Sequence, residues 1–185
     1  MRSVCLCLLL GLLLSSPSAH TFSQSSPMAA PAANLGDGTL RRIRVPILMY
    51  HYVSNLPPDA DATRIQLTVE PSMFRAHMRY LSDSGYNTIS LYQLDDALLR
   101  GTPLPPRPVI LTFDDGYIDH YTNVFPVLSE YLYTATFFII TGRADTNDPV
   151  YMNWAQIGAM AGAGMSMESH TKTHQDLRDR DYEFL

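Results

Sequence analysis

Cysteine is absent from this chain after residue 7: Cys5 and Cys7 are the only two among 185 residues. Both lie in an N-terminal apolar run, and neither is followed by a plausible processed domain start, so no lipid attachment site is read there. Without them no disulfide framework is available, and any metal must be held by nitrogen and oxygen ligands. Long hydrophobic runs are absent too. The run at residues 4–14 is far shorter than the ~20 residues a membrane-spanning helix needs. There is no basic stripe and no excess of positive charge: 18 acids face 13 bases, for a net charge of −5. That argues against nucleic acid as the partner. No internal repeat is present. Trp154 is the only tryptophan, yet a composition 46% hydrophobic and 17% charged is ordinary for a globular protein, and the length suits one domain.

What is present begins with a secretory signal. Arg2 supplies the positive start, residues 4–14 the apolar run, and residues 15–19 are small or turn-forming, which predicts cleavage after Ala19. Cleavage removes one base and no acid, moving the net charge to −6. Residues 20–42 are rich in Ser, Ala, Pro and Gly and read as a flexible tether to a domain at 43–185. The predicted destination is outside the cytoplasm, extracellular or periplasmic, with no stable membrane span after cleavage.

The domain alternates strand-like and helix-like segments. Residues 45–51 (VPILMYH) have strand length. Residues 71–84 read as a helix, with Pro71 at its first position, Phe74, Met78 and Leu81 on one face, and Gly85 closing it. After a short strand at 87–90, Ser90 and Gln93 form a capping box for a helix through Arg100, ended by Gly101. Residues 109–113 and 135–140 are continuous apolar strands of the kind buried on both faces. A helix around 124–131 restarts at Pro126, and another at 153–163 carries Trp154, Ile157 and Met160 at helical spacing. A fifth short strand, 165–169, leads into His170. Such alternation predicts parallel strands joined by helices, as an open α/β sheet or a barrel.

Two clusters carry chemistry. In Thr112-Phe113-Asp114-Asp115-Gly116-Tyr117, paired carboxylates follow a buried strand, and parallel sheets place their sites at carboxyl ends of strands. Gly116 allows a sharp turn that brings both carboxylates to one pocket; a solvated Asp-Asp-Gly turn is the plain alternative. In Ser169-His170-Thr171-Lys172-Thr173-His174, two histidines stand four residues apart, and their rings converge if the segment coils into a helical turn. A pair of surface histidines is the alternative. Taken together, the clusters supply a two-histidine, one-carboxylate set, and three protein ligands leave positions open for water and substrate. His51, at the end of the first strand, either faces the same groove or is structural. Tyr117 either lines the pocket or seals the turn. Tyr50, Phe113, Phe137 and Phe138 lie within apolar strands and are expected in the core.

These two motifs in this order resemble those of the polysaccharide deacetylases, carbohydrate esterase family 4 or the NodB homology domain. The segments at 46–52, 74–86 and 135–138 add to the likeness, which covers residues 45–185. The resemblance implies a distorted (β/α) barrel of the NodB homology / glycoside hydrolase-deacetylase type, with a metal in a groove at the carboxyl ends of its strands. Carried over position by position, it implies Asp115, His170 and His174 as metal ligands, Asp114 as the catalytic general base, and Thr171 as a brace for the histidine loop. The implied cofactor is a divalent metal, Zn²⁺, and the implied substrate a polysaccharide, above all an N-acetylglucosamine polymer. Removal of O-acetyl groups uses the same machinery and stays open.

The family's later Arg-x-Pro-Tyr-like and Leu-x-His segments, which supply oxyanion support and a general acid, find no match before Leu185. Five expected strands are also too few to close the barrel. The expectation is therefore an incomplete domain, part of a longer reading frame. The alternative readings are a non-catalytic carbohydrate- or metal-binding relative and, from another class, a two-histidine, one-carboxylate iron oxygenase. The latter leaves the second aspartate without a role.

Overall fold

The computed structural model describes residues 36–179 and Asp181. The expected signal peptide at 1–19 and the tether as far as residue 35 lie outside them. Within the stretch expected to be tether, Asp37 and Arg41 pair with each other, and both bond the Leu99 carbonyl. The Asp37 amide does so at 3.1 Å and Arg41 Nη1 at 3.1 Å.

Five segments form a parallel sheet: β1 (Ile47–Tyr50), β4 (Asn87–Thr88), β5 (Pro108–Phe113), β6 (Thr136–Ile139) and β7 (Ser166–Ser169). Its path runs β1-β5-β6-β7, with β4 pairing the start of β5. β5 is central because five of its six residues are buried, so both faces can be covered. Two further strands of two residues each, β2 (Tyr52–Val53) and β3 (Thr68–Val69), pair with one another beside the sheet. They flank a six-residue helix, α1 (Ala62–Leu67). None of these three short elements has enough periodic residues to be seen in the sequence. Among the described residues the path has two ends, so the sheet is open and no barrel closes.

Helix α2 (Pro71–Asp83) starts at its proline and buries Phe74, Met78 and Leu81. Helix α3 (Leu91–Arg100) has both bonds of the Ser90–Gln93 capping box and ends on Gly101 at φ 74°. A π-helical turn, His120–Val124, runs into α4 (Phe125–Glu130), whose second residue is Pro126. Helix α5 (Thr141–Asp145) was not legible in advance. Helix α6 (Trp154–Gly162) is capped by Asn153 and Gln156 and buries Ile157 and Met160. Trp154 departs from the expected buried stripe: it is half-exposed, and its indole donates to Asp145 Oδ1 at 2.9 Å.

An aromatic stack forms the heart of the core. Tyr50 stacks on Phe113 at 5.2 Å, Phe113 on Phe137 at 4.8 Å, and the Phe74 edge meets Tyr50 at 5.4 Å. Phe138, expected in the core, is only half-buried and turns its ring toward His170 at 6.3 Å. No helix among the described residues is long and apolar enough to cross a membrane.

Candidate metal centre

Because the strands are parallel, their carboxyl ends share one rim, and every candidate residue sits there. The Asp114 amide donates to the Tyr50 carbonyl at 2.9 Å, continuing the β1–β5 ladder one residue past the strands. That register sets His51 beside Asp114. The His170 amide likewise donates to the Ile139 carbonyl at 2.8 Å, extending the pairing of β6 with β7.

The turn after β5 uses more than a glycine. Asp115 itself is at φ 74° and Gly116 at φ 79°. A left-handed aspartate is uncommon, and such strain concentrates at functional sites. The turn aims the buried Asp115 carboxylate at the histidine loop. Its Oδ1 lies 3.4 Å from His170 Nε2 and 3.5 Å from His174 Nε2. The three ligand atoms fall within 4.8 Å of one another.

The histidine loop is not the helical turn that the spacing suggested. No helix forms there, and Thr171 and His174 adopt φ of 62° and 55°. The loop is braced instead. Thr171 Oγ1 accepts from the His174 amide at 2.9 Å, while the Thr171 and Lys172 carbonyls accept from the Thr141 and Gly142 amides. A glycine is needed at 142, since a Cβ there would stand 2.5 Å from the Lys172 carbonyl oxygen.

The donor set fits a divalent metal. Asp115 Oδ1 is buried without a hydrogen-bond partner, which is costly unless a cation or an imidazolium faces it. Ligands at ~2.0–2.1 Å around a tetrahedral ion stand roughly 3.3 Å apart, close to the two separations found. Two imidazoles and a carboxylate are ligands that zinc accepts, and so do other divalent ions.

Asp114 is largely buried, and its Oδ2 lies 3.7 Å from His51 Nε2. Burial pushes its carboxyl up from the usual range, while His51 and His170 oppose the shift. A groove of about 460 Å³ opens beside Asp115 and His174, lined also by Tyr52, Arg64, Tyr117 and Arg143; neither Asp114 nor His51 lines it. Tyr117 therefore both lines the pocket and is buried within the turn.

Two residues beneath the site carried no sequence signal. His120 is fully buried, and its Nε2 donates to the His51 carbonyl at 2.6 Å. Asp119 Oδ2 accepts from the Val53 amide at 3.1 Å. Burial pushes the Asp119 carboxyl up to about 6 against its bonds to Val53 and Ser54, and pushes the His120 imidazole down to about 4.

Residues 101–185 match the family model for polysaccharide deacetylase. A Bacillus subtilis (strain 168) protein, YxkH, named within that family, is 35% identical over 139 residues, covering 75% of this chain and 46% of its own. The poly-β-1,6-N-acetyl-D-glucosamine N-deacetylase of Escherichia coli (strain K12) is 36% identical over 124 residues, covering 67% of this chain and 16% of its own. This chain thus spans less than half the length of either. Among solved structures, the Streptococcus pyogenes deacetylase PplD in complex with acetate superposes with a TM-score of 0.70 at 31% identity, over 77% of this chain and 62% of that one. With the strand-end aspartates, the histidine loop and the parallel sheet in place, residues 101–185 match the polysaccharide deacetylase family, and the chain is similar to proteins named in that family over about three quarters of its length.

Proposed function

We propose that this protein hydrolyses N-acetyl groups from an extracellular polysaccharide, an N-acetylglucosamine polymer, with a divalent metal held by Asp115, His170 and His174. The observation that carries the proposal is the orphaned Asp115 Oδ1, facing two imidazole nitrogens at 3.4 and 3.5 Å with a second carboxylate next in the chain. Zinc is the ion favoured. When bound, it would polarise the acetyl carbonyl, stabilise the oxyanion and acidify water.

The protein's own groups do the rest. Asp114, with its carboxyl raised by burial, takes the proton of the attacking water as general base. Attack on the acetamide carbon forms the new C–O bond, and collapse breaks the C–N bond. The leaving amine then needs a proton. We assign that role to His51, whose Nε2 lies 3.7 Å from Asp114 Oδ2 and outside the ligand set. The products are acetate and a free amine on the sugar.

The N-acetylglucosamine polymer is chosen because the Escherichia coli relative is named for deacetylating one. The proposal includes export through a cleaved signal at 1–19, a tether at 20–42 and the catalytic domain at 43–185. The test is acetate release from β-1,6- and β-1,4-linked N-acetylglucosamine oligomers, with zinc supplied, then chelated, then restored. Release that tracks zinc supports the proposal, and no release from any oligomer overturns it. Zinc binding together with oligomer binding, but no acetate, would indicate a non-catalytic relative.

A further inference from the structure

Trp154, the only tryptophan in the chain, opens helix α6 and leaves half of its surface in solvent. Ile157 and Met160, further along the same helix, are buried. A lone exposed apolar side chain needs no explanation, but this one is fixed. Its Nε1 donates to Asp145 Oδ1 at 2.9 Å, which ties the ring to the last residue of α5 and uses its only polar atom. What the indole offers to solvent is therefore carbon alone.

The backbone beneath it is held as firmly. Asp148 accepts the Val150 amide on Oδ1 at 3.0 Å and the Tyr151 amide on its carbonyl at 2.9 Å. The Met152 amide donates to the Gly116 carbonyl at 2.9 Å, and the Asn153–Gln156 capping box sets the first turn of α6. A side chain held in this way loses little freedom when a ligand settles on it.

The topology ties Trp154 to the groove. β6 and β7 are parallel, so the chain leaves the carboxyl end of β6 and returns through α6 to begin β7. The start of α6 therefore lies at the rim that carries Asp115, His170 and His174. Tyr151 lines the groove beside Asp115, and Trp154 lies outside it. Their Cα atoms, three residues apart in the chain, are separated by at most about 11 Å. A polymer with one acetamide in the groove carries its neighbouring sugars over that distance. In β-linked N-acetylglucosamine the ring substituents are equatorial, so each face of the pyranose presents C–H bonds, the surface that an apolar ring takes best.

We infer that Trp154 is a sugar-stacking subsite outside the catalytic groove, oriented by Asp145, that holds a neighbouring pyranose while the sugar to be deacetylated occupies the groove. The inference rests on the polymer substrate proposed above.

Because no other tryptophan is present, emission excited beyond the tyrosine band reports this one side chain. The experiment titrates the whole zinc-loaded chain, carrying Asp114→Asn to suppress turnover, with β-1,6-linked N-acetylglucosamine oligomers, and follows binding by calorimetry in parallel. The emission should shift to shorter wavelength and saturate in step with the heat of binding. Oligomers that bind without moving the emission overturn the inference. With Asp114 intact, Trp154→Ala should lower kcat/KM on oligomers by about 5–30-fold and leave hydrolysis of phenyl acetate, which has no neighbouring sugar, near that of the parent. Trp154→Phe, which keeps a ring, should recover part of the loss. Equal losses on oligomer and phenyl acetate overturn the inference as general loosening. If the parent releases no acetate from any oligomer and yet its emission shifts with them, the hydrolytic reading fails and the subsite stands. If no oligomer binds, both fall. Should Trp154→Ala fail to fold, the titration still decides, since it leaves Trp154 in place.

Discussion

His120 Nε2 donates to the main-chain carbonyl of His51 at 2.6 Å, from a side chain with no exposure to solvent. One imidazole thus holds the backbone of another, and the held one faces Asp114. Asp119 secures β2, two residues on, through the Val53 amide. The segment from His51 to Val53, which follows β1, is therefore pinned from beneath by groups that never reach the groove.

Asp114→Asn keeps the shape of the side chain and removes the base. Acetate release should fall by about 10²–10⁴-fold, the usual worth of a positioned base. Zinc affinity should change little, because Asp114 is outside the ligand set. Parallel acetate assays and zinc titrations check both halves. Unaltered turnover would remove Asp114 from the mechanism.

His51→Ala should lower kcat by about 10²-fold or more, with zinc binding and thermal midpoint near those of the parent. The fully buried His120 would still bond the residue-51 carbonyl, so the strand end should hold. Undiminished kcat would mean that the leaving amine takes its proton from another group.

The Asp119–His120 pair sets a pH dependence of stability with opposed parts. Asp119 titrates near 6 in the fold, above its ordinary value, so its contribution is complete below about 3.8 and is lost as pH rises through 6. His120 titrates near 4 in the fold, below its ordinary value, so its contribution is complete above about 6.5 and is lost as pH falls through 4. Between about 4 and 6 the pair carries one proton whether folded or unfolded, and the two slopes cancel. Asp119→Asn should expose the histidine's slope, a loss of up to about 1.4 kcal/mol per pH unit as pH falls from 6.5 to 4. His120→Gln should expose the opposite slope. Urea unfolding across that range reads both, and a flat profile in the two variants would sink the assignment.

Gly142→Ala places a Cβ 2.5 Å from the Lys172 carbonyl oxygen, and that oxygen is backbone. The histidine loop must move to admit it. A loss of about 1–3 kcal/mol in stability and a measurable fall in zinc affinity are expected together. Calorimetry and zinc titration check the pair. Parental values in both would show that the loop yields freely.

Much of this protein is determined by bonds that close within a few residues, and those were legible in the chain. The Ser90–Gln93 box, Gly101 after α3, Pro71 opening α2 and the buried run of β5 all depend on neighbours one to four positions away. The paired aspartates and paired histidines at strand ends belong to the same order of information. What only tertiary structure decided depends on register between distant segments. The β1–β5 ladder chooses Asp114 as the neighbour of His51. The packing of the turn after β5 buries Asp119 and His120 under the segment that follows β1. The histidine loop closes through left-handed residues and the amides of Thr141 and Gly142, against the helical turn that its four-residue spacing suggested. Trp154 likewise found a partner in Asp145 and stayed half in solvent. Local chemistry settles which elements form. The long-range pairing of parallel strands settles which side chains meet, because no bond within one strand records its partner's register.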